Sequence, residues 1–183
     1  MAFKPIQKLQ VHRTLETGEQ VAVGVLAQNR QGVFFQYDAA YLSEFGHLSP
    51  FSLNETLDLQ PAPKTPHGGL HGVFADCLPD GWGLLLQDRL FRQQGTAPSQ
   101  VTQMDRLALV GSRALGALSF EPQSDWISEQ VGETDLATLG MQAQALFDGQ
   151  TDEFLMALYA SASRPGWSGF SVPSIPKCRL RLF

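Results

Sequence analysis

Residues 72–83, GVFADCLPDGWG, mark the point where the sequence changes from strand patterns to helix patterns. Pro79 is tolerated in the first turn of a helix, and Asp80 places a carboxylate beside first-turn N–H groups, where the helix dipole favours it. Apolar residues then recur at helical spacing, and Gly95 stands where a C-terminal glycine cap belongs. This stretch therefore predicts the start of a helix that ends near residue 95.

The chain before residue 72 is predicted to form an antiparallel β-meander. Three runs of strand-like residues, 7–15, 20–28 and 33–38, are separated by short turns that contain glycine. Asp38 can cap a short helix that follows the third run. Residues 48–69 are rich in proline and turn residues, so we interpret them as extended chain and loop with room for one edge strand.

The chain after residue 95 adds a second helix and a closing strand. Thr102, followed three residues later by Asp105, resembles a capping box with Asp in place of Glu, and Gly111 ends that helix. Residues 116–122, GALSFEP, have the pattern of a short strand that Pro122 closes. The predicted fold class is α+β, a small antiparallel β-rich N-terminal subdomain followed by helices.

Composition divides the chain into three predicted parts. Residues 1–122 form the N-terminal subdomain, and residues 123–160 comprise an acidic linker and two helices that each open with Thr-Asp. Residues 161–183 form a basic tail with three prolines and no acidic residue, unlike everything before it. This change favours a frameshift in the gene. The alternative is a natural short protein with a disordered tail.

Charge and composition exclude several classes of function. Hydrophobic residues make up 43% of the 183 residues, enough for a folded core. Residues 1–163 contain 9 basic and 18 acidic residues, a net charge of −9, which disfavours direct nucleic-acid binding. Cys77 and Cys178 provide neither a disulfide framework nor a zinc-binding CxxC pair. Without a signal peptide or a span of about 20 apolar residues, we expect a cytoplasmic protein with no membrane partner.

Two arrangements within the opening stretch carry candidate chemistry. Asp76 and Asp80 are four residues apart, the spacing of an acid–base pair on one helix face. Pro79 interrupts a helix between them, which favours turn and helix-start roles instead. Cys77 with His71 would make a thiol nucleophile, but the neighbouring carboxylates would raise the pKa of the thiol. We therefore interpret Cys77 as a small core residue.

Two further patterns nearby suggest metal and phosphate binding. His67 and His71 have the i, i+4 spacing that holds a metal on a helix, but Gly68 and Gly69 argue against a helix there. Gly111 and the later Gly116 are spaced as in a phosphate-binding loop, without the Lys-Ser/Thr that such a loop requires. We predict no catalytic, cofactor-binding or metal-binding residue.

Trp82 is the strongest candidate for binding another protein. It lies between Gly81 and Gly83, so it has no large neighbour in sequence to pack against. The side chain either packs into the core of this domain or projects as a protein-interface residue, a frequent role of tryptophan.

Four segments, in order along the chain, resemble the N-terminal region of HipA-family toxins, bacterial Ser/Thr kinases of type II toxin–antitoxin modules. The segments are FFQYDAAYL, LSPFSL, HGVFADCLPDGWG and DRLALVGSRALGALSFEP. The resemblance covers roughly residues 8–160. Its motif residues are Asp76, Leu78, Pro79, Asp80, Gly81, Gly83, Gly111 and Gly116. The family fold implies a β-rich N-terminal subdomain, then a kinase N-lobe and a helical C-lobe.

The resemblance implies chemistry that this chain does not complete. Full-length members use ATP and Mg²⁺, and a small-residue loop containing serine closes over ATP, followed by a strand lysine. Ser161 and Ser163 stand near the expected loop, but Lys177 is too far along and follows a proline. The catalytic aspartate and metal-binding residues lie in the C-lobe, which this sequence lacks. We therefore expect no cofactor and no kinase activity.

Two functions follow as hypotheses. The chain is an inactive N-terminal fragment of a HipA-like toxin kinase. Alternatively, it is a stand-alone module that binds and restrains a separate HipA-like kinase, as in some systems of this family, with Trp82 at the contact. The family also implies a HipB-type DNA-binding antitoxin as partner, for which the sequence assigns no residues. A hydrolase that uses Asp76 and Asp80 is the least supported reading.

Overall fold

Five antiparallel strands form one sheet in the computed structural model, which describes residues 4–114, 116–123, 144, 145 and 148. The strands are β1 (Lys8–Thr14), β2 (Gln20–Asn29), β3 (Gly32–Tyr37), β4 (Gln60–Pro61) and β5 (Leu118–Glu121). Across the sheet they lie in the order β4-β3-β2-β1-β5. The predicted α+β class, the meander of the first three strands and the edge strand are confirmed.

Four α-helices accompany the sheet in the described part of the chain. They are α1 (Ala39–Phe45), α2 (Gly72–Ala75), α3 (Gly81–Gln93) and α4 (Gln103–Val110), with 3₁₀ turns at Pro98–Gln100 and Gly111–Arg113. None of these helices is long and apolar enough to cross a membrane. Apart from residues 144, 145 and 148, the predicted linker helices and the basic tail lie outside the described residues.

Helix boundaries follow the local rules read from the sequence. The Asp38 carboxylate accepts hydrogen bonds from the backbone N–H groups of Ala40 and Tyr41, at 2.9 and 3.2 Å, and so caps α1. The capping box of α4 is confirmed, because Thr102 and Asp105 bond each other's backbone N–H groups. Gly111 is the C-terminal cap of the same helix.

Strand β5 takes a position that the sequence patterns did not predict. It pairs antiparallel with β1, so that Phe120 lies opposite Val11, although more than a hundred residues separate the two. Pairing of this kind depends on distant parts of the chain, so no local pattern specifies it. The first and last described strands are therefore neighbours in the sheet.

The core lies between the sheet and helices α2 and α4. Strand residues Leu26, Phe35 and Phe120 are fully buried, as are Phe74 of α2 and Leu107 of α4. Burying a large apolar side chain of this kind contributes roughly 1.5–3 kcal/mol. The opening stretch of the sequence thus belongs to the core through its apolar residues.

The Asp105 carboxylate joins the N-terminal segment to α4. It accepts hydrogen bonds from the backbone N–H of Ile6, just before β1, and from the N–H and hydroxyl of Thr102, at 2.7–2.8 Å. The Gln28 amide of β2 donates to the Ile6 carbonyl and to the Thr102 hydroxyl. Asp105 is only 4% exposed, so its oxygens depend on these donors rather than on water.

We expect Asp105→Asn to lower the free energy of unfolding by about 1–3 kcal/mol, because the amide nitrogen cannot accept one of these hydrogen bonds. Urea denaturation followed by circular dichroism measures the effect. Asp58→Asn is the matched control, since Asp58 is exposed and bonds only its near neighbour Thr56 among the contacts seen. Equal losses in both variants would contradict the structural role of Asp105.

Candidate functional site

The candidate site is the segment 76–83, DCLPDGWG, which connects α2 with α3 and includes the first turn of α3. Its first half is fixed by apolar contacts, because Cys77 is buried and Leu78 packs against the core. The backbone N–H groups of Cys77 and Leu78 donate to the carbonyls of Phe74 and Ala75, which continues the turn of α2. The segment is therefore held against the domain at its start.

Phe74, two residues before this segment, attaches it to the sheet through aromatic contacts. Its ring centroid lies 4.9 Å from that of Phe35 in β3 and 6.5 Å from that of Phe120 in β5. Tilted and edge-on contacts at these separations are the favoured geometries of aromatic pairs. One side chain thus connects the segment with both halves of the sheet.

Two positions of the segment require glycine, each for a different geometric reason. Gly81 begins α3 with a φ of 35°, a conformation that other residues rarely adopt. Gly83 lies against the Pro79 ring, and a Cβ added to Gly83 would be only 2.5 Å from the proline Cβ. The spacing Pro-x-x-x-Gly therefore permits a tight entry into α3.

Trp82 is half-buried on the first turn of α3 and does not belong to the core cluster. The side chain therefore lies outside the main core cluster, and its role at a protein interface stays a prediction. Asp80 and Gly81 beside it are exposed, and Leu84, two residues further on, is 38% exposed. The first turn of α3 thus presents a partly apolar surface next to a carboxylate.

Helix α3 is fixed to α4 by Arg106. The guanidinium of Arg106 lies 2.6 Å from a carboxylate oxygen of Asp88 and 3.3 Å from the side-chain oxygen of Gln87. It also lies 6.0 Å from the centroid of the Phe91 ring. Leu86 and Leu90 are buried on the same helix. The surface around Trp82 is therefore presented by a helix held at several points.

The structure separates the two aspartates considered as an acid–base pair. Asp76 is the C-terminal cap of α2, and Asp80 is the N-terminal cap residue of α3, so they do not share a helix face. The Asp80 side chain makes no capping hydrogen bond. Its contribution there is its negative charge near the first turn.

Burial makes the Cys77 thiol unreactive. Burial, and secondarily the charge of Asp76, raise the pKa of the thiol to about 11. Almost none of it is thiolate at neutral pH, and the thiolate is the nucleophilic form. The Cys77 thiol lies within hydrogen-bond distance of the Val73 carbonyl. Its interpretation as a small core residue is confirmed by this burial.

His71 is 1% exposed and begins α2 beside the rings of Phe35 and Phe74. Neither ring nitrogen makes a hydrogen bond of good geometry, although the Pro61 carbonyl lies near the ring. Burial lowers the pKa of His71, and the nearby Pro61 carbonyl only partly offsets this. The side chain is therefore an uncharged part of the core.

His67 and His71 do not share a helix face. His67 is exposed in a non-helical stretch, whereas His71 is buried. In the part of the chain that the structure describes, no group of three or more His, Cys, Asp or Glu residues is arranged to hold a metal ion.

Gly111 ends α4 and Gly116 precedes β5, which matches the predicted stop, turn and strand.

Leu84, Asp88 and Arg106 were not predicted from the sequence as site residues. A signal for Leu84 was present, because the run Leu84–Leu85–Leu86 places three consecutive apolar residues on a helix. Consecutive helical residues point in different directions, so one of them faces outward. No comparable signal links Asp88 with Arg106, which lie on different helices.

The fold and the site define a small α+β domain in which a half-buried tryptophan lies on the first turn of α3. A family model, the HipA N-terminal domain, matches residues 18–121. The chain therefore belongs to the HipA N-terminal domain family, as the sequence motifs indicated. No curated protein and no solved structure matches the chain.

Stability is expected to fall as the pH drops below about 6.5, the ordinary pKa of an unfolded histidine. The folded pKa of His71 is lowered, so the unfolded state binds the extra proton, and stability is complete only above the unfolded pKa. One proton gives a slope of at most about 1.4 kcal/mol per pH unit.

Urea denaturation at several pH values between about 5.5 and 7.5 measures this slope. His71→Leu should flatten it, whereas His67→Gln, which alters an exposed histidine, should leave it in place. The same slope in the His71→Leu variant would assign the effect to another group.

Proposed function

We propose that this chain is the N-terminal domain of a HipA-like Ser/Thr kinase toxin and that it transfers no phosphate by itself. The observation that carries the proposal is the match of residues 18–121 to the HipA N-terminal domain. The side chains considered above for catalysis have structural positions in this fold. Cys77 and His71 are buried in the core, and Asp76 and Asp80 lie at helix ends.

The chemistry of phosphoryl transfer supports the absence of activity. Kinases hold ATP and Mg²⁺ with a dedicated loop, a lysine and acidic residues, and they orient the attacking hydroxyl with a catalytic base. The sequence around Ser161 and Ser163 lacks a convincing glycine pattern for that loop, and Lys177 is not assigned the ATP-binding role. The chain would act in the cytoplasm through contacts with other proteins.

Incubated with labelled ATP and Mg²⁺, the purified chain should label neither itself nor a general protein substrate. A full-length HipA-like kinase serves as the positive control. Incorporation of phosphate above a no-enzyme blank would overturn the proposal.

Translation of the DNA downstream of the Ala160 codon in all three forward frames distinguishes a fragment of a toxin kinase from a stand-alone module. A shifted frame that encodes a lysine-bearing strand and a catalytic C-lobe identifies a fragment of a toxin kinase. A separate, complete kinase gene beside this one identifies a stand-alone module.

The second candidate function is a module that binds and restrains a separate HipA-like kinase. It is favoured by Trp82, which is half-buried on a first turn whose neighbours Asp80 and Leu84 are exposed. The acidic excess of residues 1–163 would steer the module toward a basic kinase surface. A HipB-type antitoxin is a further partner of the same proposal, with no contact residues assigned.

Trp82→Ala is expected to weaken binding to a HipA-like kinase that lacks its own N-terminal domain, at least about tenfold, since tryptophans at interface centres commonly contribute 2 kcal/mol or more. Isothermal titration calorimetry with the full chain measures the dissociation constant. Arg92→Ala, an exposed residue at the other end of α3, serves as the control. Unchanged affinity in Trp82→Ala would remove Trp82 from the interface.

A further inference from the structure

A second exposed surface lies on the loop between α1 and β4, outside the segment 76–83. Phe51 is 97% exposed, Leu57 is 49% exposed and Leu59 is 55% exposed. In the described residues, these are three of the four large hydrophobic side chains that are strongly exposed, the fourth being Leu84. We call the loop that bears them, residues 51–59, the 51–59 surface. Three exposed apolar side chains within nine residues of one loop make this loop a candidate interaction site.

The loop that carries these side chains is held in place by its own polar contacts. The buried Gln60 side chain accepts a hydrogen bond from the Asn54 N–H at 2.8 Å and donates to the Asn54 carbonyl at 3.0 Å. Leu53 is buried, and the Gln36 amide of β3 donates to the Leu57 carbonyl. Because the backbone is already ordered, binding at this surface costs little conformational entropy.

Acidic groups accompany the exposed apolar residues. Between Arg30 and Lys64 the sequence contains four acidic residues and no lysine or arginine. Glu44, Glu55 and Asp58 are exposed, and the Glu55 carboxylate already lies 2.7 Å from a ring nitrogen of His47. A Cβ on Gly46, at the end of α1, would lie 3.6 Å from a carboxylate oxygen of Glu55. The carboxylate of Glu55 thus lies beside the end of the helix that carries Glu44.

This combination narrows the kind of partner that fits. Negative charge repels nucleic acid and anionic lipid headgroups. Strand addition at the adjacent sheet edge is disfavoured, because β4 has two residues and Pro61 has no N–H to donate. Recognition would therefore involve side chains, with apolar groups packed on Phe51 and cations near the carboxylates.

We propose that the 51–59 surface binds a segment of a partner protein that carries both apolar and cationic side chains. The proposal does not rest on the function proposed above, because it uses no residue of the segment 76–83. The apolar contacts supply affinity, and the carboxylates select a basic partner over an acidic one.

The test uses the full chain and a blocked peptide of alternating arginine and leucine as the probe, with dissociation constants measured by fluorescence anisotropy. Phe51→Ser and Leu59→Ser are each expected to weaken binding at least about tenfold. Ala97→Ser, a change at an exposed apolar residue outside both this surface and the segment around Trp82, should alter it less than about twofold. Raising NaCl from about 50 to about 300 mM should also weaken binding, since the salt screens the carboxylates.

Two comparison peptides test the stated chemistry. Glutamate in place of arginine should abolish binding through charge repulsion, and serine in place of leucine should abolish it through loss of apolar contact. Binding of either comparison peptide as tightly as the probe would overturn the proposal. So would the absence of probe binding, or probe binding that survives Phe51→Ser.

Other occupants of the surface have their own readouts. Self-association of the chain in sedimentation experiments, lost in Phe51→Ser, would replace the proposed partner with a second copy of this chain. Binding to phosphatidylserine vesicles, lost in the same variant, would replace it with a membrane surface. Either result overturns the proposal.

Discussion

The contact of Phe74 with Phe35 and Phe120 is the interaction on which the rest of the structure depends. Phe35 and Phe120 lie on β3 and β5, which are separated by two other strands in the sheet. A single ring from α2 therefore packs across the middle of the sheet. Because Phe74 lies only a few residues before Pro79 and Gly81, its position fixes where the chain leaves the core and where α3 begins. The site is thus placed by an apolar contact.

The polar contacts add definition to this apolar framework. Asp105 holds the segment before β1 against the start of α4, and Arg106, the next residue, holds α4 against α3. Asp105 bonds the segment before β1, whereas Arg106 bonds α3. Asp105 and Arg106 together therefore connect α4 both with the segment before β1 and with α3. Hydrogen bonds to charged groups contribute roughly 1.5–3 kcal/mol each to stability. The Trp82 surface is consequently presented by a connected framework.

Local features of the fold were predictable from the sequence, because short-range chemistry determines them. Asp38 as a cap, the Thr102–Asp105 box and the helix stop at Gly111 each need only a few neighbouring residues. The position of β5 beside β1 and the pairing of Arg106 with Asp88 were not predictable, since both join distant residues. The half-burial of Trp82 was missed for the same reason. At the candidate site, the sequence identified the segment but not the degree of exposure of its side chains.

The pairing of β1 with β5 has a consequence for how genes can arrange this domain. Gln10 lies opposite Glu121, so β1 begins where β5 ends, and Lys8 and Pro122 line one shallow hollow there. The connections at both ends of the sheet therefore pass through one small region of the surface. Recombination could join this unit to a following protein, or detach it into a gene of its own, without cutting any pairing within the sheet.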